Sequence, residues 1–408
     1  MPLSLNDVTN IIENLQINYK YEMLNIELAL NKISATDIYA KYSLPNFNNS
    51  AMDGYGINTK DLNETNEFEI NHKIFAGDNE CLNVPSKKCC AIMTGAKVPS
   101  NVDAIIPKEN VSLNNNKISL NSNIKKNQHI RFIGEDIKKD EILIKKNELI
   151  DPNKITLLAS QGICQIKVYK TPKISIFSSG NELKSYYEKI ENSQIYNSNT
   201  PTLIAKVRKL GCDVEFLGQA YDSVESLKEL IKNSLNSDLL ITSGGVSVGD
   251  ADFTKQSLDE LGFKTLFQGV EIKPGKPTLF GKINNTYILN LPGNPMASSI
   301  MFDLIGKLLI SKLKGQKNIY HNFILAKLKN EFITKPGKTT LLPGFFDGEY
   351  FTISHKRSPG MVSVLSNCNG FIILDKNCSV LKENSIIKFI PTSWDFSTDI
   401  KKDLLNYE

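Results

Sequence analysis

From residue 172 onward the chain alternates between short apolar runs and amphipathic stretches of helical length. "KISIF" (173–177) reads as a strand, "NTPTLIAKVRKLG" (199–211) as a helix, and "CDVEFLG" as a strand. "DSVESLKELIKNSL" reads as a helix from residue 222, and "DLLIT" (238–242) as a further strand. This alternation constrains the fold more than any other feature. Strands joined by helices of this length make right-handed crossovers and a parallel α/β sheet. The helix over 199–211 is punctuated by Thr200 as its cap, Pro201 in its first turn and Gly211 at its stop. In open α/β sheets, ligands bind beyond the carboxyl ends of the strands. Three loops fall there, "SSGNEL", "GQAYDS" and "SGGVSVGDAD", the last leading into a helix over about 252–261. Each carries an acid: Glu182, Asp222, and Asp250 with Asp252.

The flanking regions follow other rhythms. Leu5, Val8, Ile11, Ile12 and Leu15 share one helical face over 5–17, and a second helix is expected over 22–33. Between about 57 and 136 the segments are short, alternating and broken by turns, which reads as a β-rich insertion. Residues 150–161 return to helical spacing. "PMASSIMFDLIGKLLISKLKG" (295–315) is the last strong helix, and short β-spaced segments from about 318 make a small terminal β-domain.

Composition excludes several function classes. With 48 basic and 44 acidic residues the net charge is +4, so nothing pulls the chain as a whole toward nucleic acid or an anionic membrane. No apolar run reaches the roughly 18–20 residues that span a bilayer, and the first residues lack the basic region of a secretion signal. Seven cysteines, an odd number without C-x-x-C spacing, read as reduced thiols of a cytoplasmic protein, and four scattered histidines do not make a zinc site.

The loop Ser243–Asp252 is not a P-loop, since no Gly-Lys-Ser/Thr follows. Its glycines let backbone N–H groups approach an anion, while its acids are equally explained by a helix first turn. Asp222 opens "DSVE", which reads as a capping box with Glu225, so a cap explains it as well as catalysis does. Four acids from three loops make a hard-oxygen site for Mg²⁺ more plausible than any one of them alone. Lys273 and Lys276 flank a Pro-Gly turn in "EIKPGKPTLFG", a basic turn expected opposite the acids. "LPGNP" leads into the helix at 295 and reads as an oxyanion loop or simply as a helix start.

Together these motifs resemble one family. "PNFNNSAMDGYGI" (45–57), "MTGAKVPSNVDAIIPKE" (93–109), "RFIGEDI" (131–137), "SSGNEL", "TSGGVSVGDADFTK", "KPGKP" and "NLPGNP" occur in the order found in molybdopterin molybdenumtransferases, which are similar to the C-terminal domain of gephyrin. The resemblance covers nearly the whole chain. It implies an α/β multidomain fold with a helical and extended dimerisation domain (1–45 and 137–170) and an inserted β-rich domain (46–136). A central parallel α/β molybdopterin-binding domain (171–317) and a C-terminal small β-barrel domain (318–408) complete it.

The activity implied is Mg²⁺-dependent insertion of molybdate into adenylyl-molybdopterin with release of AMP. Carried over position by position, Asp53, Thr94, Asp136, Glu182, Asp222 and Asp252 are the catalytic candidates. Glu182, Asp222, Asp250 and Asp252 are the Mg²⁺ side. Ser243, Gly244, Gly245, Ser247, Lys273, Lys276, Pro292, Pro295, Ser358 and Ser363 are the substrate side. The resemblance further implies a homodimer in which Asp53, Thr94 and Asp136 complete the partner's site, and transient contact with the molybdopterin adenylyltransferase. Two departures stand out. The family's "FDNSAMDGYA" here has Asn48 and Gly56, and a terminal-domain segment like "F-x-R-G" is replaced by "LLPG", with Pro343 and with Arg357 nearby in "RSPGMVSVLSNCNG". A molybdopterin adenylyltransferase would leave residues 1–170 and 318–408 unexplained, and a purely scaffolding role has no fused domain or long linker in its favour.

Overall fold

The computed structural model describes residues 1–78, 82–245 and 253–393, with 401 and 405. The helices expected near 5–17 and 150–161 form as α1 (Leu5–Glu13) and α2 (Pro152–Ser160), each capped by its own side chain. Ser4 accepts from Asp7 N–H in a capping box, and Asp151 accepts from Lys154 N–H with Pro152 in the first turn. The helix expected over 22–33 does not form. Tyr21–Asn25 is a strand paired antiparallel with Gln165–Tyr169, followed by a single 3₁₀ turn, Ile26–Leu28. Strand pairing satisfies five residues of backbone there, and a nearby partner strand outweighs local helical spacing. The apolar face of α1 differs from expectation in another way. Val8, Ile12 and Leu15 pack into the core of the central domain, so the first helix stabilises that domain instead of the extended one.

The β-rich insertion forms as expected. Its six strands lie in the order Ala104–Pro107, Gly54–Ile57, Lys88–Ile92, Glu67–Ile74, Lys117–Leu120 and Val111–Asn114.

The central domain contains β1 (Ile174–Ser179), α3 (Asn199–Lys209), β2 (Val214–Ala220), α4 (Val224–Ser234), β3 (Leu239–Ser243) and α5 (Phe253–Glu260). It continues through β4 (Lys264–Gln268), β5 (Leu279–Ile283), β6 (Thr286–Leu291), α6 (Pro295–Met301), a π-helical turn Phe302–Gly306 and α7 (Lys307–Leu313). The sheet order is β2-β1-β3-β6-β5-β4. The first four strands are parallel, as the alternation requires, and β5 and β4 add an antiparallel edge. Every residue of β3 is buried, the mark of a strand covered on both faces. Ile176, Ile241 and Leu289 meet α3, α6 and α7 on one face. Phe177, Leu240 and Ile288 meet Leu227 and Ile231 of α4 and Leu258 of α5 on the other.

Two helix starts differ from expectation. Asn197, not Thr200, supplies the side-chain bond at the start of α3, its Oδ1 accepting from Thr200 N–H at 3.1 Å. The N-cap of α4 is Ser223, whose hydroxyl accepts from Ser226 N–H, so Asp222 lies outside the helix and is not its cap. The box Asp-x-x-Glu is also a Ser-x-x-Ser frame shifted by one residue, and the extended backbone at Ser223 selects that frame.

The terminal domain is a closed five-stranded barrel. Thr339–Phe346 pairs with Tyr350–Ile353 and with Gly370–Leu374, and Ile386–Pro391 and Ile324–Leu328 close the ring. The two-residue strand Ile272–Lys273 of the central domain runs alongside Thr339–Thr340 and ties the barrel on. Six cysteines lie among the described residues and all are free. Burial pushes the thiols of Cys89 and Cys90 up to about 12 and about 11, in keeping with inert reduced thiols; Cys81 lies outside the described residues. No helix of the described residues is long and apolar enough to cross a membrane.

Ser223→Ala should lower stability by about 1 kcal/mol in urea denaturation, the usual worth of a lost N-cap. Asp222→Ala should leave the unfolding midpoint nearly unchanged.

Candidate active site

Because β2, β1, β3 and β6 are parallel, the loops that follow them share one edge. They enclose a cavity of about 760 Å³ lined by Gly180, Glu182, Asp222, Ser243, Gly244, Gly245, Thr254, Pro292 and Pro295, with Gly360 and Val362 of the terminal domain closing one side. Of the residues proposed from sequence, Glu182, Asp222, Ser243, Gly244, Gly245, Pro292 and Pro295 are thus brought together. Ser247, Asp250 and Asp252 lie outside the described residues.

Side chains that sequence reasoning did not single out lock these loops to each other. Asn181 N–H donates to the Asp222 carboxylate at 3.3 Å, and Asp222 N–H donates back to Asn181 Oδ1 at 3.0 Å. Gln219 Nε2 donates to the carbonyls of Gly180 and Leu183. Asn199 Nδ2 donates to Ser243 Oγ and to the Gly293 carbonyl, both at 2.7 Å, joining the loop after β3 to the loop after β6. A signal for Asn199 existed in "NSNTP", where polar residues start a helix, but only the fold shows which loops it bridges. Gly244 and Gly245 have φ of +101° and +69°. At Gly245 a Cβ would stand 2.0 Å from Thr254 Oγ1, so glycine is required by both backbone and packing.

The cavity's electrostatics are two-sided. The N-terminal turns of α3, α5 and α6 all border it, and helix N-termini favour anions. Yet its charged lining among the described residues is Glu182 and Asp222 alone, with no lysine or arginine. A phosphate entering beside two carboxylates needs a cation between them. Two carboxylates with water and substrate oxygens are the donor set Mg²⁺ prefers, so these residues fit that ion.

The two lysines proposed as a basic turn opposite the acids are placed elsewhere. Lys273 lines a second cavity of about 720 Å³ with Lys335, Lys338, Arg357 and Ser358, whereas Lys276 faces a smaller one of about 260 Å³ beside Pro2 and Lys376. Pairing of Ile272–Lys273 with the barrel turns Lys273 toward the terminal domain, and the turn through Gly275 sends Lys276 the other way. Residues 358–360 separate the basic cavity from the acidic one, fastened by Met296 N–H donating to the Pro359 carbonyl. Ser363 is exposed at the start of a one-turn helix and lines neither cavity.

In the inserted domain, Thr94 N–H and Thr94 Oγ1 both donate to Asp53 Oδ1 at 2.8 Å. The Thr94 backbone N–H first, and its hydroxyl second, hold the Asp53 carboxyl below its usual range. Asp136 is exposed on the loop after Ile130–Arg131. The acidic cavity is lined by residues 178–362, so none of these three reaches it within one chain.

Comparison with known proteins places this architecture. Residues 3–162 match the MoeA N-terminal region (domain I and II), residues 175–312 the probable molybdopterin binding domain, and residues 325–392 the MoeA C-terminal region (domain IV). A molybdopterin molybdenumtransferase of Haemophilus influenzae is 40% identical over 311 residues, 76% of this chain and 77% of the relative. The chain belongs to the molybdopterin molybdenumtransferase family. A member from Staphylococcus epidermidis is 29% identical over 96% of both chains. A crystal structure of the molybdopterin biosynthesis MoeA protein of Pyrococcus horikoshii superimposes with a TM-score of 0.81 at 27% identity, covering 97% of this chain and 100% of that one.

Against the family pattern, the departures acquire physical reasons. Asn48 Oδ1 accepts from Ile133 N–H at 2.9 Å, a bond a carboxylate would make equally well. Gly56 faces Cys90 and Val102, and a Cβ there would stand 2.9 Å from both side chains, so glycine accommodates the buried cysteine. Pro343 sits inside a barrel strand, and its carbonyl accepts from Ser354 N–H at 2.9 Å.

Asp53 is ionised at lower pH in the folded chain than in the unfolded one. Its stabilising link to Thr94 is therefore present above its unfolded pKa and lost as pH falls through the folded one. Thr94→Val should raise the Asp53 pKa part of the way back to 3.8, read by carbon-detected NMR titration, because the backbone donor remains.

Proposed function

We propose that this protein is the transferase that inserts molybdenum into molybdopterin, acting on adenylyl-molybdopterin and molybdate and releasing AMP. The carrying observation is the distribution of charge at one end of the sheet: carboxylates with helix N-termini in one cavity, cations in its neighbour, with the stretches 274–277 and 358–360 bordering both. The acidic cavity suits the phosphates of the adenylylated substrate together with Mg²⁺. Glu182 and Asp222 would hold the ion, which when bound neutralises phosphate charge during P–O cleavage. Asp222 is kept in place by Asn181, and Gly245 offers its backbone N–H to phosphate oxygens while Gly244 N–H donates to the Leu291 carbonyl. The basic cavity suits molybdate, a tetrahedral dianion, with Lys273, Ser358 and Arg357 as its contacts. The pterin dithiolene supplies the soft ligands for molybdenum, so the protein needs no cysteine cluster for it.

The working unit is a homodimer in the cytoplasm, met transiently by the adenylyltransferase that makes the substrate. Tyr21, Met23, Tyr39 and Ile142 are exposed apolar side chains on the extended domain, a face suited to a second copy. In that dimer Asp53, Thr94 and Asp136 serve the partner's cavity.

The decisive assay is incubation of purified protein with adenylyl-molybdopterin, with and without molybdate and Mg²⁺, scoring AMP. Molybdate-dependent AMP release supports the proposal, whereas synthesis of the adenylate from ATP would point to an adenylyltransferase. Asp222→Ala should reduce AMP release by about a hundredfold or more, a loss typical of a group that stabilises developing charge. Because Ser223 caps α4, that loss cannot be attributed to unfolding; normal turnover would remove Asp222 from the mechanism.

A further inference from the structure

We propose that Phe332 is a positioning residue for the molybdate end of the reaction, holding the Arg357 guanidinium over the basic cavity. The proposal rests on the reading above that this cavity takes molybdate. Arg357 is the one arginine among the described lining residues, beside three lysines. The difference matters: an ammonium is a compact point charge on a flexible stem, whereas a guanidinium is a flat fork that meets two oxygens of an oxyanion at once. Arg357 is exposed, and an untethered arginine at an open rim spreads its charge over many rotamers.

Two contacts restrict it. Its guanidinium carbon lies 5.1 Å from the centroid of the Phe332 ring, and Nη1 donates to the Ser354 carbonyl at 3.2 Å. Ser354 N–H in turn donates to the Pro343 carbonyl, so the turn that carries Arg357 is fastened to the barrel strand Thr339–Phe346. Leu341 and Leu342, which precede Pro343, border the same cavity. Phe332 is itself fixed. It belongs to the short strand Phe332–Ile333, paired with Val380–Leu381, and packs on the barrel core. The ring therefore presents a static π face that attracts the cation and orients its fork.

The test is steady-state AMP release by the full-length protein, varying molybdate and adenylyl-molybdopterin separately, for Arg357→Ala, Phe332→Ala, Phe332→Leu, Phe332→Trp and the double variant Phe332→Leu/Arg357→Ala. Loss of a cation–π contact should raise KM for molybdate roughly 3- to 10-fold in Phe332→Leu. KM for adenylyl-molybdopterin should not move. Phe332→Trp should restore the parent value, and the double variant should be no worse than Arg357→Ala alone. If Phe332→Ala fails to fold, Phe332→Leu, which keeps apolar bulk in the barrel, decides the matter. Arg357→Ala with an unchanged KM for molybdate would remove the molybdate reading of this cavity. A raised KM in Arg357→Ala with none in Phe332→Leu, or losses that add in the double variant, would overturn the positioning role and leave the cavity's assignment standing.

Discussion

Parallel pairing makes β2, β1, β3 and β6 end at the same edge, and the candidate site follows from that constraint. Each crossover helix must begin where the preceding loop ends, so strand ends, loops and helix N-termini are gathered together whatever the loops contain. Ser178, Ser243 and Leu291 are level with one another across β1, β3 and β6. The loops that follow therefore start from one line, and short polar side chains suffice to lock them. Asn181 with Asp222, and Asn199 with Ser243 and Gly293, do that work at hydrogen-bond distance. A register slip of one residue in β3 would turn Ser243 away from Asn199 and dissolve the arrangement.

The second organising element is the barrel, which contributes a wall more than a scaffold. Its segment 357–362 passes between two cavities of opposite character and shows each a different set of residues. Opposite charges placed in one open pocket would pair with each other. Separated by a strand of backbone, the carboxylates remain available to a cation and the lysines to an anion. Under the function proposed above, each reactant would meet its own field before the two meet.

Legibility in the sequence was uneven, for identifiable reasons. The α/β alternation, the β-rich insertion and the terminal β-domain were readable because each depends on periodicity and turn residues that act locally, whereas the closure of that domain into a barrel came only from the family resemblance. The strand at Tyr21–Asn25 was not, because its partner at Gln165–Tyr169 lies about 140 residues away and no local pattern announces it. The capping box at Asp222 misled because two frames compete for the same helix start, and the winner leaves Asp222 outside the helix. Lys273 and Lys276 looked like one basic turn; pairing with the barrel sent them into different cavities.

By itself the sequence determined the order of the elements, the acids at the strand ends and the family to which the motifs point. These are properties of residue type and spacing, carried by the chain before it folds. Only the tertiary structure decided which loops share a cavity, which residue caps α4, and that the cations stand apart from the carboxylates with Arg357 beside Phe332. Those outcomes depend on contacts between residues far apart in the chain, and such contacts are set by register, packing and strand pairing, which no local stretch of sequence contains.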